Sequence, residues 1–436
     1  MCCPPASEAP SVDELEREHN GYMNRISEDD SKQSNAFTAG INLEALKEIA
    51  GLATARSYHR IQKIYQGGFN QIFALSSDDD NAVDVIARVN MPFGGGFEPP
   101  LIERQDRVLS EVATLKWLKK NTSIPVPQVF AFDANPENDV GGAYMIQERI
   151  MGRPLTEVWS KSCLVSRMEI IKQLAHFQAQ LFNTSFSQIG SLLNVEIYRG
   201  PWNTPREEMK DLMEEQLAEI RTAPEKILLA RQNDGHDTED FRIDDFEKLY
   251  ATILHVVQKV ELLDQFVGSY SILHPDFNSN NVMVGYDNPS RIVGIIDWEG
   301  TRVQPKWNDC GVDFMWDPGN APCCVLSETT ITWDDVIDEW KGIVFKMGPH
   351  DLYSDVWRCL ARLDNIVCAS YVDWANIQKV IDDVTEWRSN WPQLDDVAFG
   401  GLDDVLQSFK NVPATSDKIL VTVPNFHVER QADADQ

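Results

Sequence analysis

SILHPDFNSNNVMVGYDNPSRIVGIIDWEG, residues 271–300, decides the fold. Two apolar runs, 282–285 and 292–296, flank a turn around Asn288-Pro289-Ser290, the pattern of a buried β-hairpin. A hairpin centred on Pro289 sets Asn281 opposite Asp297, and facing side chains in such a ladder have Cβ atoms only about 4.5–5.5 Å apart. An amide oxygen and a carboxylate at that spacing suit a shared hard cation, for which magnesium is the natural candidate. Asp276, with His274, stands on the loop leading into the hairpin. A carboxylate there can orient a hydroxyl beside the metal and accept its proton. Asp and Asn before a strand are also ordinary turn and cap residues; the following hairpin that ends in Asp separates this segment from that plainer reading.

Upstream, the periodicity changes twice. INLEALKEIAGLA opens a helix behind a cap at Asn42. Residues 57–65 partly alternate, Gly67-Gly68 interrupts them, 71–76 resumes, and an acidic turn at 78–81 leads into 82–90, so a three-stranded antiparallel meander is expected. Residues 100–120 then adopt period 3.6, with Val108, Val112, Leu115 and Leu118 on one stripe and Glu111 beside it. Pro125-Val126-Pro127 ends that helix, and 128–133 and 144–150 are extended. Gly152-Arg153-Pro154 reads as a hinge or turn.

Helical stripes dominate afterwards, at 168–182, 206–221, 243–266 and 335–345, with a polar surface loop at 232–240. The expected class is α+β in two lobes: a small N-terminal antiparallel-sheet lobe, 41–150, and a larger, mainly helical lobe, 151–410. Acidic tails occupy 1–40 and 411–436.

The net charge of −29 argues against a nucleic-acid partner, because neutralising phosphates requires clustered cations, and equally against an anionic membrane surface. No run approaches the roughly 18 apolar residues of a membrane span. Eight cysteines without a CxxC pair or regular spacing fit a reducing compartment rather than a disulfide framework or zinc site. The first thirty residues are acidic and carry neither a secretory signal nor a basic amphipathic transit peptide, so a cytoplasmic protein is expected. Nothing in the pattern fixes an oligomeric state.

The catalytic segment resembles that of the small-molecule kinases of the aminoglycoside phosphotransferase and choline kinase type, in a divergent form closer to fungal members than to bacterial resistance enzymes. The residues that carry the likeness are His274-Pro275-Asp276-Phe277-Asn278-Ser279-Asn280-Asn281 and Ile296-Asp297-Trp298-Glu299. It extends over about 58–310 and implies the two-lobed protein-kinase-like fold, ATP as cofactor and Mg2+. By resemblance, Asp276 is the catalytic base, Asn281 and Asp297 hold the metal, and Gly67, Gly68, Phe69 and Asn70 form the glycine turn over the phosphates. Arg88 stands where the family often has Lys, with Glu111 as its ion-pair partner. The main chain from Glu148 to Ile150 faces adenine.

The resemblance implies an ATP-dependent transfer of the γ-phosphate to a hydroxyl of a small molecule. The acceptor would be bound by helices within 190–270 and 301–380, where Trp202, Trp307, Trp316 and Trp333 either line a pocket or pack the core. A protein kinase fits less well, since HPD replaces HRD, DWE replaces DFG and no Ala-Pro-Glu follows. A metal-dependent hydrolase leaves the glycine turn, Arg88 and Glu111 without a joint purpose. The alternative kept beside the kinase is an inactive kinase-like nucleotide-binding or scaffold protein, motivated by Arg88 and by Glu299, two residues after Asp297.

Overall fold

The computed structural model describes residues 40–67, 70–77, 85–90, 101–192, 200–225, 243–260, 263, 267, 268 and 270–308, with isolated residues beyond 320. Helix α1 (Leu43–Thr54) starts at Asn42, whose extended backbone and side chain, accepting from the Ala45 N–H at 3.2 Å, make the expected cap. The meander follows as β1 (Arg60–Gln66), β2 (Asn70–Ser76) and β3 (Val85–Asn90). With β4 (Val129–Asp133) and β5 (Tyr144–Glu148) it forms an antiparallel sheet of order β1-β2-β3-β5-β4.

Alternation along β3 decides what faces where. Val85, Ala87 and Val89 join Phe73, Leu75, Tyr144 and Ile146 in a core closed by Ala45, Leu46 and Ala50 of α1. A strand presents successive side chains to opposite faces, so Arg88 faces the other side. That side is covered by α2 (Leu101–Asn121), packed on β4 and β5. Its stripe, Val108, Val112, Leu115 and Leu118, belongs with Met145 to a second, larger cluster. The same cluster runs through α4 (Leu164–Phe182), α5 (Pro205–Thr222) and α6 (Ile243–Lys259), the helical elements that follow a short α3 (Thr156–Trp159). The core therefore does not break at residue 150.

Local sequence explains the helix starts. In α5, Thr204 accepts from the Glu207 N–H while the Glu207 carboxylate accepts from the Thr204 N–H, a capping box followed by Pro205 in the first turn. The buried faces of α5 and α6, among them Met209, Met213, Leu217, Leu249, Ile253 and Val256, pack together.

The remaining strands are β6 (Arg153–Pro154), β7 (Tyr270–Leu273), β8 (Val282–Val284), β9 (Ile292–Ile295) and β10 (Arg302–Pro305); β10 pairs with β7. The expected hairpin is β8 and β9, with a different register. Val282 faces Ile295 and Met283 faces Gly294, but the register shifts between Met283 and Val284. Asn281 is consequently opposite Ile296, whose N–H donates to the Asn281 carbonyl at 2.9 Å, and not opposite Asp297.

Of the hinge or turn expected at Gly152-Arg153-Pro154, Gly152 lies in a bend, whereas Arg153 and Pro154 form the strand β6, paired with β8. The next residues continue the attachment: Leu155 N–H donates to Val282 O at 2.7 Å and Thr156 N–H to Ser279 O at 3.1 Å. Gly152 permits this approach, since a Cβ there would lie 2.6 Å from the Val284 carbonyl oxygen. The connection between sheet and helices is thus stitched to the hairpin. The tails, the loop 232–240 and most of 309–410 lie outside the described residues.

Candidate active site

The loop 274–281 is held by its own polar residues. Asn278 donates its side-chain N–H to Asp276 Oδ1 at 2.6 Å, and Asn281 Nδ2 donates to Asp276 Oδ2 at 3.0 Å and to the Asp276 carbonyl at 2.8 Å. Both carboxylate oxygens of the exposed Asp276 are therefore oriented. His274 fixes the loop from behind. Its Nδ1 accepts from the Asp276 N–H at 3.1 Å, so the proton sits on Nε2, which donates to Ile296 O at 2.9 Å. Burial lowers the pKa of this ring, matching a neutral imidazole with both nitrogens in use. His274 joins the Asp276 loop to the residue immediately before Asp297.

Asp297 has φ of 64°, in the left-handed region that Asp tolerates better than most residues. The neighbouring Trp298 is buried to 1% exposure and donates its indole N–H to Ile295 O at 3.0 Å. An aromatic burying 150–250 Å2 contributes roughly 4–6 kcal/mol of transfer free energy, enough to hold the turn in that conformation. Asp297 and Glu299 flank this anchor.

Arg88 is the centre of the charged network. Its Nη1 donates to Glu111 Oε1 at 2.5 Å, and its Nη2 to Asp297 Oδ1 at 3.0 Å and Glu299 Oε2 at 3.2 Å. Three carboxylates share one guanidinium, with a second, Arg107 on α2, 3.9 Å from Glu299 Oε1. Burial alone would lower the pKa of Arg88, but the surrounding acids together hold it above its ordinary value. Burial pushes Glu111 up to about 7; Arg88 pulls the other way, while Glu299 and Asp297 add to the push. The pairing of Arg88 with Glu111 expected from sequence is present.

Other expected residues divide. Gly67 N–H donates to Asn70 O at 2.9 Å, closing the turn between β1 and β2, and Asn70 Nδ2 donates to Glu299 Oε2 at 2.9 Å. Gly68 and Phe69 lie outside the described residues. Glu148 N–H is spent on Gln128 O at 2.8 Å, so it is not an open donor for adenine. Ile150 packs against β9, where a Cβ on Gly294 would fall 2.7 Å from Ile150 Cγ2. Trp202 and Trp307 are core residues, the former donating to Asp211 Oδ2 at 2.8 Å; Trp316 and Trp333 lie outside the described residues. Glu299, Arg107 and the bracing role of His274 were not expected. The Asp-Trp-Glu triplet was the available signal for Glu299.

Among the described residues no cluster of three or more His, Cys, Asp and Glu side chains is suited to a metal. What the site offers is hard oxygen. Asn281 spends its Nδ2 on Asp276, leaving Oδ1 as an amide acceptor, and Asp297 is bonded to Arg88 through Oδ1 with its side chain 45% exposed. That donor set fits Mg2+, which takes few protein oxygens and completes its shell with water and phosphate.

The family model described as the phosphotransferase enzyme family (APH) matches residues 61–320. A relative from Aspergillus fumigatus, the subtelomeric hrmA-associated cluster protein, is 24% identical over 363 residues, 67% of this chain and 68% of its own. Altered inheritance of mitochondria protein 9, mitochondrial, is 35% identical over 143 residues in Eremothecium gossypii, 31% of this chain and 22% of that protein. In Candida glabrata the protein of the same name is 22% identical over 322 residues, 56% of this chain and 49% of its own. Among solved structures, aminoglycoside phosphotransferase APH(4)-Ia overlaps 84% of this chain and 99% of its own with a TM-score of 0.44 at 14% identity. A putative aminoglycoside phosphotransferase from Ralstonia eutropha overlaps the same shares with 0.45 at 15%.

The mitochondrial relatives overturn the expectation of a cytoplasmic protein. No described helix is long and apolar enough to cross a membrane. The α+β class expected from sequence is the class found, and with its sheet, hairpin and site loops inside the matched region the chain belongs to the phosphotransferase enzyme family, whose fold is kinase-like.

Proposed function

We propose that the protein is an ATP-dependent phosphotransferase that moves the γ-phosphoryl group to a hydroxyl of a small molecule. One observation carries the reading: the Arg88 guanidinium reaches from β3 to Glu111 on α2 and to Asp297 after the hairpin, so a phosphate-binding cation, its orienting acid and an oxygen ligand meet at one point. Asp276, fixed by the amides of Asn278 and Asn281, aligns the acceptor hydroxyl and takes its proton as the new P–O bond forms. Asn281 and Asp297 hold Mg2+. When bound, the ion neutralises charge on the phosphate oxygens. Arg88 binds phosphate through a planar fork where Lys would act as a point charge. The turn Gly67, Gly68, Phe69, Asn70 covers the phosphates, with the Gly67 N–H committed to Asn70 O, and adenine lies against the segment 148–150, with Ile150 rather than the Glu148 N–H as its main-chain donor.

In this reading 41–150 is the nucleotide lobe, 151–410 carries catalysis and the acceptor, and 1–40 and 411–436 are tails. The relatives' names support a mitochondrial setting, which fractionation of cells expressing a C-terminally tagged chain tests. For the activity, the purified protein is offered ATP and Mg2+ with a metabolite panel rich in hydroxyl groups. Phosphate transfer is expected, and Asp276→Ala abolishes it with the fold intact; full turnover in that variant overturns the assignment. The engagement of Arg88 by three carboxylates favours one second reading, a nucleotide-binding protein without turnover. Magnesium-dependent ATP binding without consumption across the panel selects it.

A further inference from the structure

Glu299 sits on the loop after the hairpin, yet all its described partners come from the sheet lobe. Its Oε2 accepts from Asn70 Nδ2 at 2.9 Å and from Arg88 Nη2 at 3.2 Å, and its Oε1 lies 3.9 Å from Arg107 Nη1. Those donors belong to three different elements: the first residue of β2, the middle of β3, and α2. Asn70 also closes the turn from β1, its carbonyl accepting from Gly67 N–H. The Glu299 side chain is only 16% exposed, and Asn70 and Arg88 are buried. Exposed pairs contribute little, but a partly desolvated carboxylate with several charge-assisted bonds is both stronger and geometrically selective.

We propose that Glu299 is a positioning residue, a latch that draws the glycine turn and the Arg88 guanidinium onto the Asp297 loop before nucleotide arrives. Its benefit rests on the phosphotransferase reading, since ordering the phosphate site in advance removes that cost from binding. The latch itself is made by the protein's own side chains. It acts through Asn70 and Arg88 and needs no contact with the substrate.

Two measurements test it on the full chain. In the nucleotide-free protein, amide hydrogen exchange at the start of β2 is expected to rise at least about fivefold in both Glu299→Ala and Asn70→Ala, with no further rise in the double variant. Glu299→Gln, which keeps an acceptor for Asn70, restores protection. Unchanged exchange in both single variants, or additive effects in the double, refutes the latch. Calorimetry with Mg2+ and a non-hydrolysable ATP analogue gives the second readout. Each alanine variant is expected to weaken binding roughly tenfold, the double variant no more than about threefold further, and Glu299→Gln to bind within about threefold of the parent. Glu299→Gln as weak as Glu299→Ala refutes a latch drawn through Asn70. A parent protein that binds no nucleotide fails the phosphotransferase reading, and the exchange data alone then decide the latch.

Discussion

Replacing Gly152 by alanine presses the lobe connection against the hairpin. The new Cβ would lie 2.6 Å from Val284 O and 2.7 Å from Val293 Cγ2, one a backbone atom of β8 and the other a β-branched side chain on β9. Ordinary contact requires a retreat of roughly 0.7–1 Å, and neither neighbour is a flexible side-chain tip. Overpacking of this kind costs about 1–3 kcal/mol. Against it stands the lower chain entropy of alanine in the unfolded state, about 0.4–1 kcal/mol. The expected net loss is about 1–2 kcal/mol, read from urea unfolding of the variant and parent. Gly40→Ala is the control, because a Cβ there meets nothing within 4 Å. The same displacement should loosen the bonds from Leu155 to Val282 and from Thr156 to Ser279, visible as faster amide exchange at 155 and 156. Equal stability of Gly152→Ala, Gly40→Ala and the parent would falsify the packing argument.

Two acid–base groups give opposite pH slopes. Glu111, raised in the folded state, binds a proton that the unfolded chain releases, so its contribution is complete below about pH 4.5 and is lost as pH rises through about 7; Glu111→Gln removes this slope, which a stability profile between pH 5 and 8 measures. His274, lowered in the folded state, contributes fully above its ordinary value of 6.5 and loses that contribution as pH falls, so His274→Gln should flatten the acid limb; a limb that stays as steep would contradict a ring held neutral by burial. Gln173 on α4 donates to Ser290 O at 2.8 Å and accepts from Ile292 N–H at 3.0 Å, clamping the hairpin; Gln173→Ala should cost about 1–3 kcal/mol in denaturant unfolding, and a change under about 0.5 kcal/mol argues that water replaces both bonds.

Sequence reasoning succeeded where one local rule dominates. Alternation located β1, β2 and β3, the 3.6-residue stripe located α2, and together they placed Arg88 across from Glu111. The proximity of Asp276 to Asn281 was legible because both sit on one short loop. The hairpin register differs by one residue from the one predicted, because Val293 is an extra residue between the pairs Met283–Gly294 and Val284–Ile292, and Gly294 beside it was the available signal. Gly-Arg-Pro is turn chemistry and predicts a hinge or turn, whereas tertiary pairing with β8 makes a strand of Arg153 and Pro154. Glu299 escaped because its partners lie about two hundred residues away in the chain, a separation that no local pattern encodes.

Helix α2 shares its core with the helical body, whereas the strand carrying Arg88 closes its opposite face on α1. The Arg88–Glu111 contact therefore joins residues rooted in two different clusters, beside the direct packing of α2 on β4 and β5. A slide of β3 along α2 changes this separation, so a spectroscopic label on each element would report it as a single distance. Sequence variation near α1 would then shift Arg88 from the far side of the sheet, without touching a residue of the charged network.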